Sequence, residues 1–330
     1  IIHTVGVMGE LVLENPHGNV NLNIAGTHNV LEIARQFEIP KVVYTSTGAV
    51  YGEVSGIIAE DAAPVNPSDL YGATKASCEF IGQQYAQTFG FDFRIARVYF
   101  CYGAVKLPSR FIRLYRLAFG ALEGLSGLEM DRGADQQLDF VYIEDAGRGT
   151  ALLYQADATP HSIYNIATGV PTTVGRIAEL ARHYSPFDVA VTLGQGALMK
   201  RCEALDITRA REELGFEPRY DVEAGIRQYA AWMQALDEVA QTRPGYLIKA
   251  RADDARLLEG GPEQDDEGED HQRRCQHDLG KDQRLQPRDG TPGGKRLRGH
   301  LPLEVVTPEN VPKRVDDPAP CLTRVLTQRG

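Results

Sequence analysis

The segment KVVYT at Lys41–Thr45 is a short, mostly apolar run of the kind that is buried on both faces of a parallel sheet. A helix is predicted before it, over about Asn19–Phe37, and Pro40 ends that helix. After a polar loop, a second helix is predicted over about Leu70–Phe89 and the next strand over Phe93–Val98. Strands and helices that alternate over short connections predict right-handed crossovers, and therefore an α/β fold with a doubly wound parallel sheet.

The pattern is less regular in the later part of the chain. Ile1–Val5 (IIHTV) indicates a buried strand at the other end. The remaining predicted elements are a strand over Leu138–Ile143, a helix over Glu144–Gln155, a strand over Ser162–Ala167, and helices over Val174–Tyr184 and Val222–Leu236. We expect a small α/β lobe that is interleaved with the sheet and built over it, so that residues 1–240 form one domain.

The composition changes after about Gln241. No aromatic residue follows Tyr246, and residues 263–270 (EQDDEGED) form a dense acidic block. Such a segment cannot bury enough apolar area to offset the entropy of ordering. Residues 241–330 are therefore expected to be a disordered tail, and the His and Cys residues at 271–278 are not expected to bind a metal.

The composition also limits the classes of partner. A net charge of −10 argues against a protein that binds nucleic acid, because the phosphate backbone requires a basic surface. No apolar run is long enough for a membrane span, and no signal peptide is apparent at residue 1. The five cysteines are widely spaced and form no C-x-x-C pair, which favours free thiols and a cytoplasmic location.

The pentapeptide YGATK at Tyr71–Lys75 carries the chemistry. Residues at positions i and i+4 share one face of a helix, so the phenol of Tyr71 and the ammonium of Lys75 can point into one cleft. An ammonium ~4 Å away supplies about 4 kcal/mol at an effective dielectric of ~20. A phenol with a pKa of ~10 needs roughly that amount to act as a base near pH 7. The spacing alone also fits an ordinary helix start with a solvated lysine.

A hydroxyl-rich segment, Thr45–Gly52 (TSTGAVYG), follows the strand at 41–45. Open α/β sheets bind their ligands at the carboxyl ends of the strands. A hydroxyl at this place can hydrogen-bond a substrate oxygen while Tyr71 takes its proton. The position of the segment therefore strengthens the catalytic interpretation of Tyr71.

Taken together, these segments resemble the extended short-chain dehydrogenase/reductase family, which includes NAD-dependent sugar epimerases and dehydratases. Thr45–Gly52 resembles the family's active-site Ser/Thr loop, and Asn66–Lys75 resembles its P-x-S-x-Y-x-x-x-K segment. Asn23–Thr27 resembles its N-V-x-G-T helix and Asp139–Asp145 its D-F-V-Y-V-D-D motif. Further landmarks at 164–166 and 206–216 follow in family order.

The resemblance implies a Rossmann-like fold, NAD or NADP as cofactor, and hydride transfer on a nucleotide sugar or related polyol. It implies that Thr47 orients the substrate hydroxyl, that Tyr71 is the acid/base, and that Lys75 holds the nicotinamide ribose and lowers the Tyr71 pKa. The cofactor-binding positions that it implies are Thr4, Val5, Gly6, Asn23, Tyr71, Lys75 and Tyr99. Family members often dimerise through helices that include the one carrying Tyr71, so a homodimer is also expected.

Three departures from the family pattern leave alternatives open. The Gly-rich phosphate loop and the residue that selects NAD or NADP are missing, and Ile1 resembles the family's fourth strand. We therefore expect an N-terminally truncated sheet, weak NAD(P) binding and aggregation through an exposed strand edge. Phe100 and Leu138 stand where nucleotide-sugar enzymes often have Asn and Arg. They favour an alcohol dehydrogenase or reductase acting on a non-nucleotide substrate, and a catalytically dead remnant that serves as a binding module is the other alternative.

Overall fold

The computed structural model describes residues 1–8, 11–62, 64–108 and 112–242. Its strands are β1 (Ile2–His3), β2 (Lys41–Thr47), β3 (Ile57–Ile58), β4 (Asp92–Val98), β5 (Leu128–Met130), β6 (Gln137–Leu138), β7 (Ile163–Ile166), β8 (Thr172–Thr173), β9 (Val191–Leu193) and β10 (Ala204–Leu205). Its α-helices are α1 (Leu11–Glu14), α2 (Pro16–Gln36), α3 (Leu70–Phe89), α4 (Arg113–Phe119), α5 (Ile143–Gln155), α6 (Val174–Tyr184), α7 (Thr208–Leu214) and α8 (Val222–Thr242).

Four strands form the central sheet, in the order β1-β2-β4-β7, and every neighbouring pair is parallel. The pairing of β2 with β4 runs over the full length of both strands, from Lys41 opposite Asp92 to Thr47 opposite Val98. Because the strands are parallel, their carboxyl ends lie at the same edge of the sheet. The predicted Rossmann-like α/β fold is confirmed in this part of the chain.

Helices cover both faces of the sheet. Successive side chains of a strand point to opposite sides, so each face presents its own side chains to the helices. Val42 and Tyr44 of β2 pack in one apolar cluster with Leu31 of α2 and Cys78 of α3. The side chain between them, Val43, belongs to the cluster on the other face of the sheet. β2 is therefore buried on both sides, which explains why its sequence is apolar without alternation.

Local signals fix where the long helices begin and end. Asn15 accepts a hydrogen bond from the Gly18 amide at 3.0 Å and Pro16 stands at the first helical position, so α2 starts three residues earlier than predicted. α3 has the predicted bounds, with Asp69 as its N-cap and Gly90 in the left-handed conformation at its end. α8 extends to Thr242, beyond the predicted end at Leu236, because the intervening sequence contains no Gly or Pro.

The predicted strand over Leu138–Ile143 is wrong for most of its length. Only Gln137–Leu138 is a strand, paired with β8, and α5 already begins at Ile143. The carboxylate of Asp139, which is fully buried, accepts hydrogen bonds from the amides of Thr168 and Gly169 at 2.9 and 2.8 Å. These contacts hold residue 139 in a position where it does not pair with a neighbouring strand. Desolvation of the carboxylate raises the pKa of Asp139 to about 6.

A smaller lobe is built from segments that alternate along the chain with those of the sheet. It contains the two-stranded pairs β5–β9 and β6–β8, together with helices α4, α6 and α8. We keep the predicted domain, residues 1–240 with an interleaved lobe, as a proposal. The predicted tail after residue 242 and its His/Cys segment lie outside the described residues. None of the helices in the described part of the chain is long and apolar enough to cross a membrane.

A buried ion pair joins α3 to the middle of the sheet. The Arg97 guanidinium on β4 donates to both carboxylate oxygens of Glu79 on α3, at 3.1 and 2.6 Å, and both side chains are almost fully buried. Ser46, which is the partner of Arg97 across the sheet, also donates to Glu79. Arg97 further donates to the Tyr51 hydroxyl at 3.0 Å, and Tyr51 donates to Asn165 at 2.8 Å. The network fixes α3 in rotation and in height over the sheet.

We expect the Glu79→Gln variant to lower the free energy of unfolding by about 3–5 kcal/mol, because Arg97 is left as an uncompensated buried charge. Urea denaturation of the full chain measures the effect. Glu217→Gln is the matched control, since Glu217 pairs with Arg211 on the surface and its loss should cost less than about 1 kcal/mol. Equal destabilisation by the two changes would contradict the importance given to the buried pair.

Candidate active site

The predicted site residues come together at the carboxyl edge of the sheet. Thr47 is the last residue of β2, and Tyr99 follows the end of β4. Tyr71 and Lys75 lie in the first two turns of α3. Thr4, Val5 and Gly6 follow β1 directly. Three strands that end at the same edge, and a helix that starts there, therefore place residues from four parts of the chain around one cleft.

Two glycines allow the close packing that brings Tyr71 to Thr47. Residues 48–51 form a short 3-10 turn after β2, and the start of α3 packs against it. A methyl group on Gly72 would lie 2.8 Å from the carbonyl oxygen of Ala49. A methyl group on Gly48 would lie 2.3 Å from the ring of Tyr99. Larger residues at these positions would separate the helix start, the turn and the β4 end.

The Thr47 hydroxyl lies close enough to the Tyr71 phenol to lower its pKa. Thr47 also accepts a hydrogen bond from the Ala49 amide at 3.2 Å, which fixes the position of its oxygen. Burial raises the pKa of Tyr71 to about 12, although the Thr47 hydroxyl lowers it, and the negative charge of Asp69 raises it further. Tyr71 is therefore a neutral phenol at physiological pH, able to donate a proton.

Lys75 is buried beside the phenol but does not point at it. Its ammonium lies over the ring of Tyr44, 4.4 Å from the ring centroid, and the side chain is only 3 % exposed. Among the described residues, no oxygen accepts a hydrogen bond from this ammonium. Burial lowers the pKa of Lys75 to about 8. Lys75 is not among the groups that act on the Tyr71 pKa in this arrangement, so the expected lowering by Lys75 is not seen.

Gly6, in the segment after β1, leaves open space beside the buried Lys75 ammonium. A methyl group on Gly6 would lie 3.5 Å from the Lys75 ammonium and 3.4 Å from the Asn23 amide oxygen, so the missing side chain leaves a narrow cradle there. A buried ammonium that lacks an acceptor from the described part of the chain suits a ribose hydroxyl. These residues fit the NAD or NADP that the sequence predicts.

Asn23, buried on α2, holds this segment in place. Its side-chain oxygen accepts from the Val7 amide at 2.7 Å, and its nitrogen donates to the Val7 carbonyl at 2.9 Å and to Thr74 at 3.0 Å. Both polar atoms of the amide are thus used by the chain itself. Any part that Asn23 has in cofactor binding is therefore exerted through the placement of residues 4–7, which it links to the helix that carries Tyr71.

Tyr99, predicted near the nicotinamide, is also committed to the chain. Its side chain is buried, with the ring against Gly48, and its hydroxyl donates to the Cys202 carbonyl at 2.9 Å. The contact ties the end of β4 to the segment before β10. Tyr99 therefore builds the floor of the cleft, and a ligand would meet its backbone more readily than its phenol.

The two positions that depart from the family pattern differ in structure. Leu138 is fully buried in the apolar core, so it faces no ligand. Phe100 is half-buried and has a positive φ of 30°, an uncommon conformation for a residue with a bulky side chain. Its ring contacts Tyr99 edge-to-face at a centroid distance of 4.7 Å. Phe100 therefore packs against the aromatic side chains of the core beside Tyr99.

An open cavity of about 460 Å³ lies on the small lobe. Lys200 and Arg201 line it together with Gln136, whose side-chain oxygen accepts from the amides of Leu198 and Met199 at 2.9 Å. Arg201 makes an ion pair with Asp69, the N-cap of α3. The sequence had suggested no contact between Arg201 and Asp69, which are 132 positions apart. It had also not suggested that Tyr44 lies beneath the Lys75 ammonium. The alternation of side chains along β2 could have indicated the place of Tyr44. It puts Tyr44 on the same face of the strand as Ser46, which contacts α3.

A parallel sheet with helices on both faces, and a Tyr–Lys pair facing a Ser/Thr loop at its carboxyl edge, define a Rossmann-like short-chain dehydrogenase/reductase. Residues 1–167 match the NAD dependent epimerase/dehydratase family. The chain belongs to this family.

Relatives and solved structures agree with this assignment. A putative UDP-glucose 4-epimerase of Methanocaldococcus jannaschii is 30% identical over 230 residues, which cover 67% of this chain and 72% of the relative. The crystal structure of UDP-glucuronic acid 4-epimerase from Bacillus cereus in complex with NAD has a TM-score of 0.59 at 27% identity, over 71% of this chain and 74% of that one. A UDP-glucose 4-epimerase of Thermotoga maritima, solved with UDP-glucose, has a TM-score of 0.63 at 24% identity, over 71% and 77% of the two chains.

Lys75 is expected to destabilise the fold in a pH-dependent way. Its pKa of about 8 lies below its ordinary value of 10.5, so between these pH values the unfolded chain binds the proton and the folded chain does not. The free-energy penalty of burying the lysine therefore falls as pH increases from about 8 to 10.5, and the folded protein becomes more stable over that range. Lys75→Met should be more stable than the unchanged protein by about 3 kcal/mol at pH 7, and this advantage should vanish near pH 10.5.

Urea denaturation of the unchanged protein and of Lys75→Met between pH 7 and 10.5 measures the difference in their free energies of unfolding. Titration of other groups affects both proteins equally and cancels in that difference. Lys200→Met removes an exposed lysine from the small lobe and is the matched control. A stability difference for Lys75→Met that stays constant over the whole range would show that the ammonium is not desolvated as described.

Proposed function

We propose that the chain is an NAD(P)-dependent epimerase or dehydratase that acts on a nucleotide sugar, with Tyr71 as its acid/base. The observation that carries this is the placement of Tyr71 in the first turn of α3, close enough to Thr47 at the carboxyl end of β2 for that hydroxyl to lower the pKa of the phenol, with Lys75 buried one helical turn further along. The relatives named above act on UDP-sugars, as their names state. Thr47, Tyr71 and Lys75 are the proposed catalytic residues.

When bound, the nicotinamide supplies reversible hydride acceptance from a carbinol carbon of the sugar. Thr47 orients the hydroxyl of that carbon by a hydrogen bond, and Tyr71 exchanges the proton with the same oxygen. With a pKa of about 12, Tyr71 is in the protonated form that donates to a carbonyl oxygen. To accept a proton near pH 7 it needs roughly 7 kcal/mol, and an ammonium at ~4 Å supplies only about 4 kcal/mol. The described arrangement thus favours the donating step, and the accepting step requires Lys75 to turn from Tyr44 towards the phenol.

Lys75, Gly6 and the backbone of Thr4 and Val5 would hold the nicotinamide ribose. The support is the cradle at Gly6 and the buried ammonium beside it. Both features belong to the chain in the form described, without a ligand. Burial of Lys75 also keeps water away from the site where the proton is exchanged, which strengthens each electrostatic interaction there.

Two features of the chain bear on the substrate class. The cavity beside Lys200 has the volume of a small-molecule site, and the exposed ammonium of Lys200 suits an anionic group such as a diphosphate. Phe100, which stands where nucleotide-sugar enzymes often have Asn, favours the second candidate, a dehydrogenase or reductase acting on a non-nucleotide alcohol. The two candidates share the Tyr71 chemistry and differ only in what the small lobe recognises.

Tyr71→Phe should lower kcat by a factor of about 10²–10⁴ while NAD affinity stays nearly constant, because only the exchangeable proton is lost. Binding of NAD is measured first by calorimetry, and turnover is then followed with UDP-glucose, UDP-glucuronate and simple polyols at saturating NAD. Thr47→Val should lower kcat as well, since the orienting hydroxyl is lost.

Two controls come from the same elements. Tyr85→Phe removes a phenol from the outer part of α3, and Thr45→Val changes a hydroxyl on β2 that has no hydrogen-bond partner in the described structure. Full activity in Tyr71→Phe would overturn the assignment of the acid/base. Turnover of polyols but not of the UDP-sugars would favour the second candidate, and no turnover at all would favour a remnant that only binds.

We further propose that the chain forms a homodimer through α2 and α3. These two helices pack side by side, and their outward faces carry the exposed apolar side chains Leu22, Ile33 and Phe80. Gly26 lies within α2, and a methyl group there would meet nothing within 4 Å. A glycine inside a helix costs about 1 kcal/mol, so a close approach by a second copy would explain it. Two such faces make an isologous four-helix interface.

Phe80→Glu should convert a dimer into a monomer, because it would place a charge in an apolar interface. Size-exclusion chromatography with light scattering gives the mass. Val170→Glu, which changes an exposed apolar residue away from these helices, is the control and should leave the mass unaltered. An identical mass for both variants and the unchanged chain would contradict the proposed interface.

The location that we propose is the cytoplasm. Cys78, Cys101 and Cys202 are free thiols in the structure, and Cys78 and Cys202 are buried. Unpaired cysteines in a protein core fit a reducing compartment. Cell fractionation with an antibody to the chain would test this, and recovery in an oxidising compartment would contradict it.

A further inference from the structure

The N-cap of the helix that carries Tyr71 is a charged residue. Asp69 accepts a hydrogen bond from the Gly72 amide at 2.6 Å through one carboxylate oxygen, which satisfies an otherwise unpaired donor of the first turn. Its second oxygen receives the guanidinium of Arg201. A serine could cap the helix equally well without a charge. The ion pair is therefore a feature in addition to the cap.

Arg201 is held in position by contacts of the two residues that follow it in the chain. The next residue, Cys202, accepts a hydrogen bond from the Tyr99 hydroxyl at 2.9 Å. Glu203 donates its amide to the Gly56 carbonyl at 3.0 Å, just before β10 pairs with β3. The Arg201 side chain is only 13% exposed. Asp69 is 40% exposed, so the pair is shielded from water mainly on the side of the guanidinium.

The pair lies close to the reacting hydroxyl. Asp69 is two residues before Tyr71, and its charge is one of the causes that raise the Tyr71 pKa. The other titratable or charged groups around Tyr71 are Lys75 on its own helix, Tyr44 on β2 and Tyr115 on α4. Tyr44 and Tyr115 are themselves neutral phenols because burial raises their pKa. Asp69 is therefore the negative charge whose neutralisation matters most at this hydroxyl.

We propose that Arg201 is a positioning residue for Tyr71, which holds the first turn of α3 and offsets the charge of Asp69 beside the phenol. Its value to catalysis rests on the proposed function of Tyr71. Because Arg201 also lines the cavity of the small lobe, the link connects that lobe to the helix start across the cleft. Within the described residues, this is the ion pair that joins the cavity to the helix carrying the acid/base.

The test uses the full chain with 3-fluorotyrosine introduced at position 71, whose ¹⁹F NMR signal reports ionisation of this phenol alone. Arg201→Gln should move the titration midpoint up by about half a pH unit, because Asp69 is no longer offset. Asp69→Ser keeps a cap and should move the midpoint down. In the Asp69→Ser background, Arg201→Gln should have no further upward effect, and Arg201→Lys alone should restore much of the original midpoint.

The control is Asp61→Asn, which breaks a comparable ion pair with Arg209 at a place remote from Tyr71 and should leave the midpoint unchanged. An unchanged midpoint in Arg201→Gln, or an equal shift with and without Asp69, would overturn the proposal. The readout does not require turnover. A shift of the midpoint together with full activity in Tyr71→Phe would refute the proposed function and leave the positioning role standing.

Discussion

The buried pair of Arg97 and Glu79 is the interaction on which the geometry of the site depends. Tyr71, Lys75 and Glu79 follow each other at intervals of four residues, so they share one face of α3. A bidentate contact to Arg97 fixes the rotation of the helix and therefore the direction of the other two side chains. Burying two charges costs several kcal/mol in desolvation, and what the pair contributes in return is a single orientation of the helix.

Desolvation sets the ionisation of the proposed acid/base and of the buried ammonium near it. Burial raises the pKa of Tyr71 to about 12 and lowers that of Lys75 to about 8. Both shifts favour neutral forms, as expected when charged states lose water. The accepting step needs the phenolate of Tyr71, so movement of the Lys75 ammonium between the Tyr44 ring and the phenol is central to the mechanism that we propose.

The two lobes meet at the site through contacts that involve main-chain atoms and one ion pair. Tyr99 reaches the Cys202 carbonyl, and Arg201 reaches Asp69. Asn23 links the segment after β1 to Thr74 on α3 in the same manner. Each of these side chains is polar and engaged within the chain. They shape the cleft, while Thr47, Tyr71 and the Lys75 ammonium remain for the ligands.

The sequence by itself determined the fold class and the bounds of α3, because both follow from apolar periodicity, which is local in the chain. The roles of Thr47 and Tyr71 came from the resemblance of their segments to family motifs and stay a prediction. The sequence could not determine that Lys75 lies over Tyr44, that Asn23 is used by Val7, or that Arg201 pairs with Asp69. It also misjudged residues 139–143 as a strand, because the hydrogen-bond donors to Asp139 lie about 30 residues away. Only tertiary structure decides which buried polar group meets which partner, since that choice depends on packing between segments distant in sequence.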